Sequence, residues 1–88
     1  MVQQTVTVPN RLGIHARPAA LIVKRASSFR SEVTICSGGE EVNAKSIMGV
    51  MTLAAGQGTD LIVSASGPDE ERAVQEICEL VSSGFGED

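Results

Sequence analysis

The apolar residues of this chain recur with two different periods, and the order in which the periods alternate restricts the folds open to it. The valines of residues 2–8 share one parity, as in a strand with one buried face, and the Pro9-Asn10 pair ends that strand. From about residue 16 to residue 27, apolar side chains recur at spacings of three and four, which indicates an amphipathic helix. Pro18 fits this helix because the first turn does not use its N–H groups for intrahelical hydrogen bonds.

Short runs of alternating residues predict three further strands. The first is "EVTIC" at residues 32–36, and the second covers about 40–43 after a turn at Gly38-Gly39. The third is "DLIVSASG" at residues 60–67, where every second residue is apolar.

Helical spacing returns in two places. A short helix is predicted from about residue 47 to residue 53 or 54, with Ser46 as its N-cap and Gly56 as its stop. A longer helix opens after Pro68 with acidic residues in its first turn and ends at Gly84. Its apolar stripe, which we expect to be buried, is Val74, Ile77, Cys78 and Val81.

The elements therefore follow the order β-α-β-β-α-β-α. Four strands each carry one apolar face and three helices are available to cover it, so we predict an α+β fold in which one face of the sheet stays open. At 88 residues, the chain (1–88) is expected to form one domain. It has no apolar run long enough to span a bilayer and no signal-peptide pattern, so we expect no membrane insertion and a cytoplasmic location.

Composition argues against several classes of function. A net charge of −4 argues against a nucleic-acid-binding protein. One histidine and two widely separated cysteines, Cys36 and Cys78, predict no metal site and no disulfide. Nearly all the basic residues precede residue 46, whereas most acidic residues follow residue 59. If the early basic residues share one face, that face would attract phosphates or an acidic partner.

The only histidine, in the stretch "GIHARPAA", stands directly before the first predicted helix. A helix N-terminus offers unpaired N–H groups and a partial positive charge, which keeps His15 neutral near pH 7 and favours a phosphoryl group on its ring. Arg17 lies in the first turn, where a cation is unfavourable unless an anion binds there. The residues alone leave two interpretations open: a phosphoryl or other anion site, or a histidine that only caps a helix beside a solvated arginine.

Two motifs carry a resemblance to a known family. "GIHARPAA" resembles the active-site motif of the HPr histidine phosphocarriers of the bacterial phosphotransferase system, and "AKSIMGVMTLA" resembles the motif around the regulatory serine of that family. The resemblance covers essentially the whole chain. It implies an open-faced β-sandwich, with a four-stranded antiparallel sheet covered on one face by three helices.

The resemblance also implies roles for individual residues. His15 would be phosphorylated at Nδ1 by the phosphoenolpyruvate-dependent Enzyme I and would pass the phosphoryl group to an Enzyme IIA domain for sugar uptake. Arg17 would assist the transfer, and the backbone amides near Ala16 and Arg17 would bind the phosphoryl oxygens. No metal and no organic cofactor is implied, and the protein would be a carrier rather than an enzyme, with turnover only alongside partner enzymes.

The second motif supplies a regulatory residue and a docking surface. On its chemistry alone Ser46 is a helix N-cap; by resemblance it is also phosphorylated by a dedicated HPr serine kinase/phosphorylase, and Lys45 would balance that phosphate. Ile47, Met48 and Met51 cannot all face the core of so short a helix, so we expect one or two of them to be exposed for partner docking. The resemblance adds Ala20 to this surface.

Three alternatives remain open. The tail "SSGFGED" also resembles NPr, the carrier of the nitrogen branch, which serves regulation rather than sugar transport. An interaction module without phosphoryl chemistry would use His15 only as a cap. A stand-alone hydrolase is the least favoured, because one histidine without nearby acids or a metal is poorly equipped for turnover.

Overall fold

The structure, a computed structural model, describes residues 1–53 and 55–87, and there the elements follow the predicted order. The strands are β1 (Val2–Thr7), β2 (Glu32–Ser37), β3 (Glu40–Asn43) and β4 (Asp60–Ser66). The helices are α1 (Ala16–Ser27), α2 (Ile47–Thr52) and α3 (Glu70–Ser82), and a short 3-10 turn, Gly84–Gly86, follows α3. Over these described residues, none of the helices has both the length and the apolar character needed to cross a membrane.

The four strands form one antiparallel sheet in the order β1-β4-β2-β3. Val63 of β4 is paired with Gln4 on one side and with Ile35 on the other, and Val63 and Ile35 are fully buried. The next pair along the same strands, Ile62 and Cys36, points to the opposite face, where Ile62 is 37% exposed. Because the helices cover one face and leave the other open, the predicted fold class is confirmed.

The two longer helices bury the stripes that the spacing predicts. Helix α1 packs Ala19, Ile22 and Ala26 into the core, each without exposed surface. In α3 the predicted stripe is buried: Val74, Ile77, Cys78 and Val81. Since the chain has no tryptophan or tyrosine, aliphatic side chains do most of this work, and each fully buried one stabilises the fold by roughly 1.5–3 kcal/mol.

The end of α2 differs from the prediction, whereas the end of α3 agrees with it. Helix α2 ends at Thr52 rather than at residue 53 or 54, and Ala54 lies outside the described residues. The backbone N–H of Ile14 donates to the carbonyl of Ala55 at 2.8 Å, so the chain has left the helical path before Gly56. Helix α3 ends at Ser82 with Ser83 as its C-cap, and Gly84 follows with a left-handed φ of 73°, so the predicted stop at Gly84 is confirmed. The 3-10 turn that starts at Gly84 was not predicted.

The loop before α1 depends on a glycine. Gly13 has a φ of 68°, a left-handed conformation that side chains disfavour. A Cβ at this position would lie 2.3 Å from the carbonyl oxygen of Ala55. The adjacent Ile14 is buried and bonded to the same carbonyl, so Gly13 allows this loop and the chain after α2 to come into contact. This contact sets the path of the backbone into His15.

The carboxylate of Asp69, the N-cap residue of α3, joins that helix to the start of β2. It accepts hydrogen bonds from the backbone N–H groups of Arg30 and Ser31, at 3.0 and 2.9 Å, and from the Ser31 hydroxyl. The Ser31 oxygen in turn accepts from the N–H of Asp69 at 3.2 Å. These hydrogen bonds, the one from the Ser31 hydroxyl foremost, favour the ionised carboxylate and lower the pKa of Asp69 to about 2.

Replacing Asp69 by asparagine is expected to destabilise the fold at neutral pH far more than in acid. Because the folded-state pKa of about 2 lies below the ordinary 3.8, the carboxylate stabilises the native state above the ordinary value and loses this effect as pH falls through the folded value. Urea unfolding of both proteins at about pH 7 and about pH 2 measures the difference. Asp60→Asn is the charge-matched control, and an equal loss for Asp69→Asn at both pH values would contradict the assignment.

Replacing Gly13 by alanine is expected to cost more stability than the same change at Gly38. Both glycines have a positive φ, but a Cβ on Gly38 meets no atom within 4 Å. Gly38→Ala therefore carries only the left-handed penalty of about 1–2 kcal/mol, and Gly13→Ala adds a backbone overlap of about 1–3 kcal/mol. Denaturant midpoints compare the two variants, and equal losses would show that the close approach to Ala55 is unimportant.

Candidate functional site

His15 occupies the N-cap position of α1, and 38% of its side-chain surface is exposed. Its backbone is extended, with φ −107° and ψ −165°, and its carbonyl accepts the first bond of the helix, from Ala19 at 2.9 Å. The first-turn N–H groups of Ala16 and Arg17 have no acceptor within the helix, and Pro18 has no N–H. As predicted, a partly exposed imidazole therefore lies at a helix N-terminus, beside amides that have no acceptor within their own helix.

The ring of His15 does not cap its own helix; instead it contacts a carboxylate from the other end of the chain. Within residues 1–53 and 55–87, the side chain makes no capping hydrogen bond to α1. The Nε2 atom lies 2.8 Å from Oε1 of Glu87, which is 72 residues away in sequence. A carboxylate can only accept, so the hydrogen bond runs from Nε2–H to Glu87. A side-chain cap is defined by a hydrogen bond from the side chain to a backbone N–H of the first turn. Within the described residues, the ring of His15 makes no such bond.

Glu87 also joins two further residues of the site. Its Oε1 accepts a second hydrogen bond, at 2.9 Å, from Nδ2 of Asn10, which is buried and donates to the carbonyl of Gly13 as well. Its Oε2 lies 3.5 Å from Nη1 of Arg17, an ion-pair distance. The hydrogen bond from His15 is the largest cause that lowers the pKa of Glu87; partial burial opposes it, and Asn10 adds to it.

The carboxylate of Glu87 adds a second electrostatic influence on the ring of His15, besides that of the helix N-terminus. The helix N-terminus disfavours a positive charge on His15, whereas the carboxylate of Glu87 favours one. The two influences act in opposite directions on the same ring. Sequence reasoning considered only the first, because nothing in the sequence indicates that Glu87 returns to the start of α1.

Arg17 also contacts the segment that follows α3, which contains Phe85 and Glu87. Its Nη1 donates a hydrogen bond of 2.9 Å to the carbonyl of Phe85, while 59% of the side chain remains exposed. Phe85 is buried although its φ is 60°, which side chains rarely adopt. The buried ring of Phe85 thus places a carbonyl beside Arg17, and Glu87 follows two residues later beside His15.

Ser46 and its helix form the second predicted group. Ser46 is the N-cap of α2, as predicted, and its Oγ accepts from the backbone N–H of Gly49 at 3.2 Å. The ammonium group of Lys45 donates to the carbonyl of Phe29 at 2.9 Å. Helix α2 packs beside α1, the helix that begins at His15.

The apolar side chains of α2 are more exposed than predicted. Ile47, Met48 and Met51 are 45%, 78% and 43% exposed, so all three face outward and not only one or two. The reason is the length of α2: in a six-residue helix only Val50 is buried. Ala20 on α1 is exposed, and so is Leu12 in the loop before His15, at 70%, which the sequence analysis did not select.

Other charged and sulfur-containing residues lie away from His15 and Ser46. Both cysteines are free thiols; Cys36 is half-buried, and burial raises the pKa of the Cys78 thiol. Arg25 forms an ion pair of 3.5 Å with Glu76, so an early base here meets a late acid, as Arg17 does with Glu87. In the described ranges, no three His, Cys, Asp or Glu side chains gather as a metal-ion site.

Comparison with known proteins agrees with this geometry. A family model described as the PTS HPr component phosphorylation site matches residues 2–83. The phosphocarrier protein HPr of Xylella fastidiosa strain Temecula1 is 50% identical over 88 residues, which cover 100% of this chain and 99% of the relative. The HPr-like protein Crh of Bacillus subtilis is 47% identical over 81 residues, covering 92% of this chain and 95% of the relative.

A solved structure extends the agreement to the fold. The crystal structure of HPr-C-His from Thermoanaerobacter tengcongensis superimposes with a TM-score of 0.95 at 45% identity, covering 100% of this chain and 99% of that one. The family model, the curated relatives and the solved structure thus all match this chain over nearly its full length. The chain belongs to the HPr family, the phosphocarrier proteins of the phosphotransferase system.

Proposed function

We propose that this protein carries a phosphoryl group on His15, accepting it from the phosphoenolpyruvate-dependent Enzyme I and delivering it to Enzyme IIA domains in sugar uptake. The observation that carries the proposal is a partly exposed imidazole at the amide-bearing end of α1, in a chain of the HPr family. The protein acts as one domain in the cytoplasm, requires no cofactor or metal of its own, and turns over only with its partner enzymes.

The chemistry follows from charge. A phosphoryl group on the ring places negative charge at the helix end, where the amides of Ala16 and Arg17 and the helix dipole favour it. The guanidinium group of Arg17 can bind two phosphoryl oxygens in a fork and neutralise charge that spreads over them during transfer. Only Nη1 of Arg17 contacts the tail within the described residues, so other N–H groups of the fork remain to bind oxygen.

The exposed apolar residues on α2 supply the docking surface. Met48 and Met51 have flexible, polarizable side chains that adapt to different partner surfaces, and Ile47 and Ala20 extend the apolar area. A carrier that must bind a donor and several acceptors in turn gains from such an adaptable surface. The exposure of these residues supports this part of the proposal.

Phosphorylation of Ser46 by an HPr serine kinase/phosphorylase would regulate docking. A phosphate at the N-cap of α2 would be compatible with its own helix but would put about two negative charges directly before Ile47 and Met48. Desolvation of that charge, and repulsion from acidic groups of Enzyme I, would weaken the complex.

Incubation with phosphoenolpyruvate, Enzyme I and magnesium is expected to add one phosphate that is labile in acid and stable in base. Because His15 is the only histidine, His15→Ala should abolish this mass gain completely while leaving the fold intact. Mass spectrometry with circular dichroism checks both points. A folded wild-type protein that gains no phosphate would instead support the interaction module.

The acceptor defines the branch of the pathway. Phosphorylated protein is mixed with purified IIA domains of sugar permeases and of the nitrogen branch, and loss of phosphate is followed with time. Transfer to sugar-specific IIA domains supports the proposed function. Exclusive transfer to the regulatory IIA domain would assign the protein to the NPr-type branch.

Ser46→Asp is expected to slow phosphoryl transfer from Enzyme I by about tenfold or more, equivalent to roughly 1.4 kcal/mol of lost binding. The matched control is Ser46→Asn, which has nearly the same shape and caps a helix equally well but has no charge. Initial rates at limiting concentrations of the carrier measure the effect. Equal rates for the two variants would contradict the electrostatic mechanism.

A further inference from the structure

We propose that Glu87 is a positioning residue for phosphoryl transfer: by accepting a hydrogen bond from Nε2 of His15, it leaves the lone pair on Nδ1 and stabilises the positive charge that the ring acquires when Nδ1 bonds to phosphorus. This inference rests on the proposed function. It concerns a side chain from the end of the described chain, and neither of the two motifs contains it.

The first step concerns the position of the proton. A neutral imidazole carries one N–H, and the hydrogen bond made by one nitrogen decides where it lies. Glu87 lies 2.8 Å from Nε2 and can only accept, so the proton is on Nε2. Nδ1 then holds the lone pair and forms no hydrogen bond with any residue of the described chain. Nδ1 is therefore the nucleophilic nitrogen.

The second step concerns charge during transfer. The Nδ1 lone pair forms a bond to phosphorus while the bond from phosphorus to the donor breaks, and that electron pair leaves with the donor. No proton leaves Nδ1, because none was there. The ring, which still carries its Nε2 proton, becomes positively charged beside the carboxylate of Glu87. A carboxylate that orients a histidine and stabilises its cationic form is an established device in acyl transfer.

The third step concerns how Glu87 is held in place. Nδ2 of Asn10 donates to the same Oε1 atom that faces His15, and the buried ring of Phe85 fixes the backbone two residues earlier. Arg17, 3.5 Å from Oε2, is the other charged group that faces the carboxylate. The lowered pKa of Glu87 keeps the carboxylate ionised at neutral pH, as this role needs. His15, Asn10 and Arg17 therefore contact the carboxylate directly, and the burial of Phe85 holds the backbone that carries it.

Phosphorylation by phosphoramidate, a small donor that needs no partner protein, tests the assignment of the nucleophile. Wild type is expected to give the Nδ1 isomer, and Glu87→Ala a mixture with a substantial fraction of the Nε2 isomer. Glu87→Gln should keep the Nδ1 isomer, because its amide oxygen still accepts from Nε2. Nitrogen-15 NMR of the single histidine identifies the isomers, and Glu79→Ala, which alters an exposed acidic residue of α3, should match wild type.

Titration of the phosphorylated ring tests the assignment of charge. In both Glu87→Ala and Glu87→Gln, the Nε2 proton should leave at a pH about one unit lower than in wild type, because the negative charge is gone. If Glu87→Ala changes the conformation of the residues after α3, the midpoint measured for Glu87→Gln alone tests the effect of the charge. An unchanged isomer ratio in Glu87→Ala, or an unchanged midpoint in Glu87→Gln, would overturn the proposal. Neither result depends on Enzyme I, so failure here is distinguishable from failure of the proposed function.

Discussion

Burial of one face of the sheet against the helices is the interaction on which the rest of the structure depends. Val63 and Ile35, paired across β4 and β2, lie at its centre, and α3 packs across β1, β4 and β2. The helix layer is thereby fixed relative to the sheet, and with it the end of α1 where His15 is placed. A mostly aliphatic core, with Phe29 and Phe85 as its aromatic members, thus positions the polar side chains around His15.

The sequence predicts those parts of the molecule that local patterns determine. Helix α1 begins and ends where its spacing and Pro18 indicate, and Ser46 caps α2, because each feature depends on residues within a few positions. The end of α2 was less predictable, since Ala55 is bonded to Ile14, more than forty positions earlier in the chain. Tertiary contact therefore overrides the local stop signal at Gly56.

The candidate site likewise contains residues that a local motif indicates and residues that only long-range contacts bring in. His15 and Arg17 stand in one short motif, so the sequence alone pointed to both. The sequence did not point to Glu87 or Asn10, because neither belongs to a local pattern. Glu87 contacts His15 across 72 residues and Asn10 across 77 residues. The imbalance of charge along the chain was the one indirect signal. Early bases and late acids do meet across the fold, as the pairs of Arg17 with Glu87 and Arg25 with Glu76 show.

The two faces of the sheet also differ in how they can be handled experimentally. Cys36 points to the open face, opposite the helix layer, and is half-buried, whereas the second thiol is enclosed in the core. Because thiol reactivity requires access and an ionisable sulfur, maleimide dyes should attach to Cys36 first. A fluorophore there would lie on the open face of the sheet, on the side opposite the helix layer to which His15 and Ser46 belong.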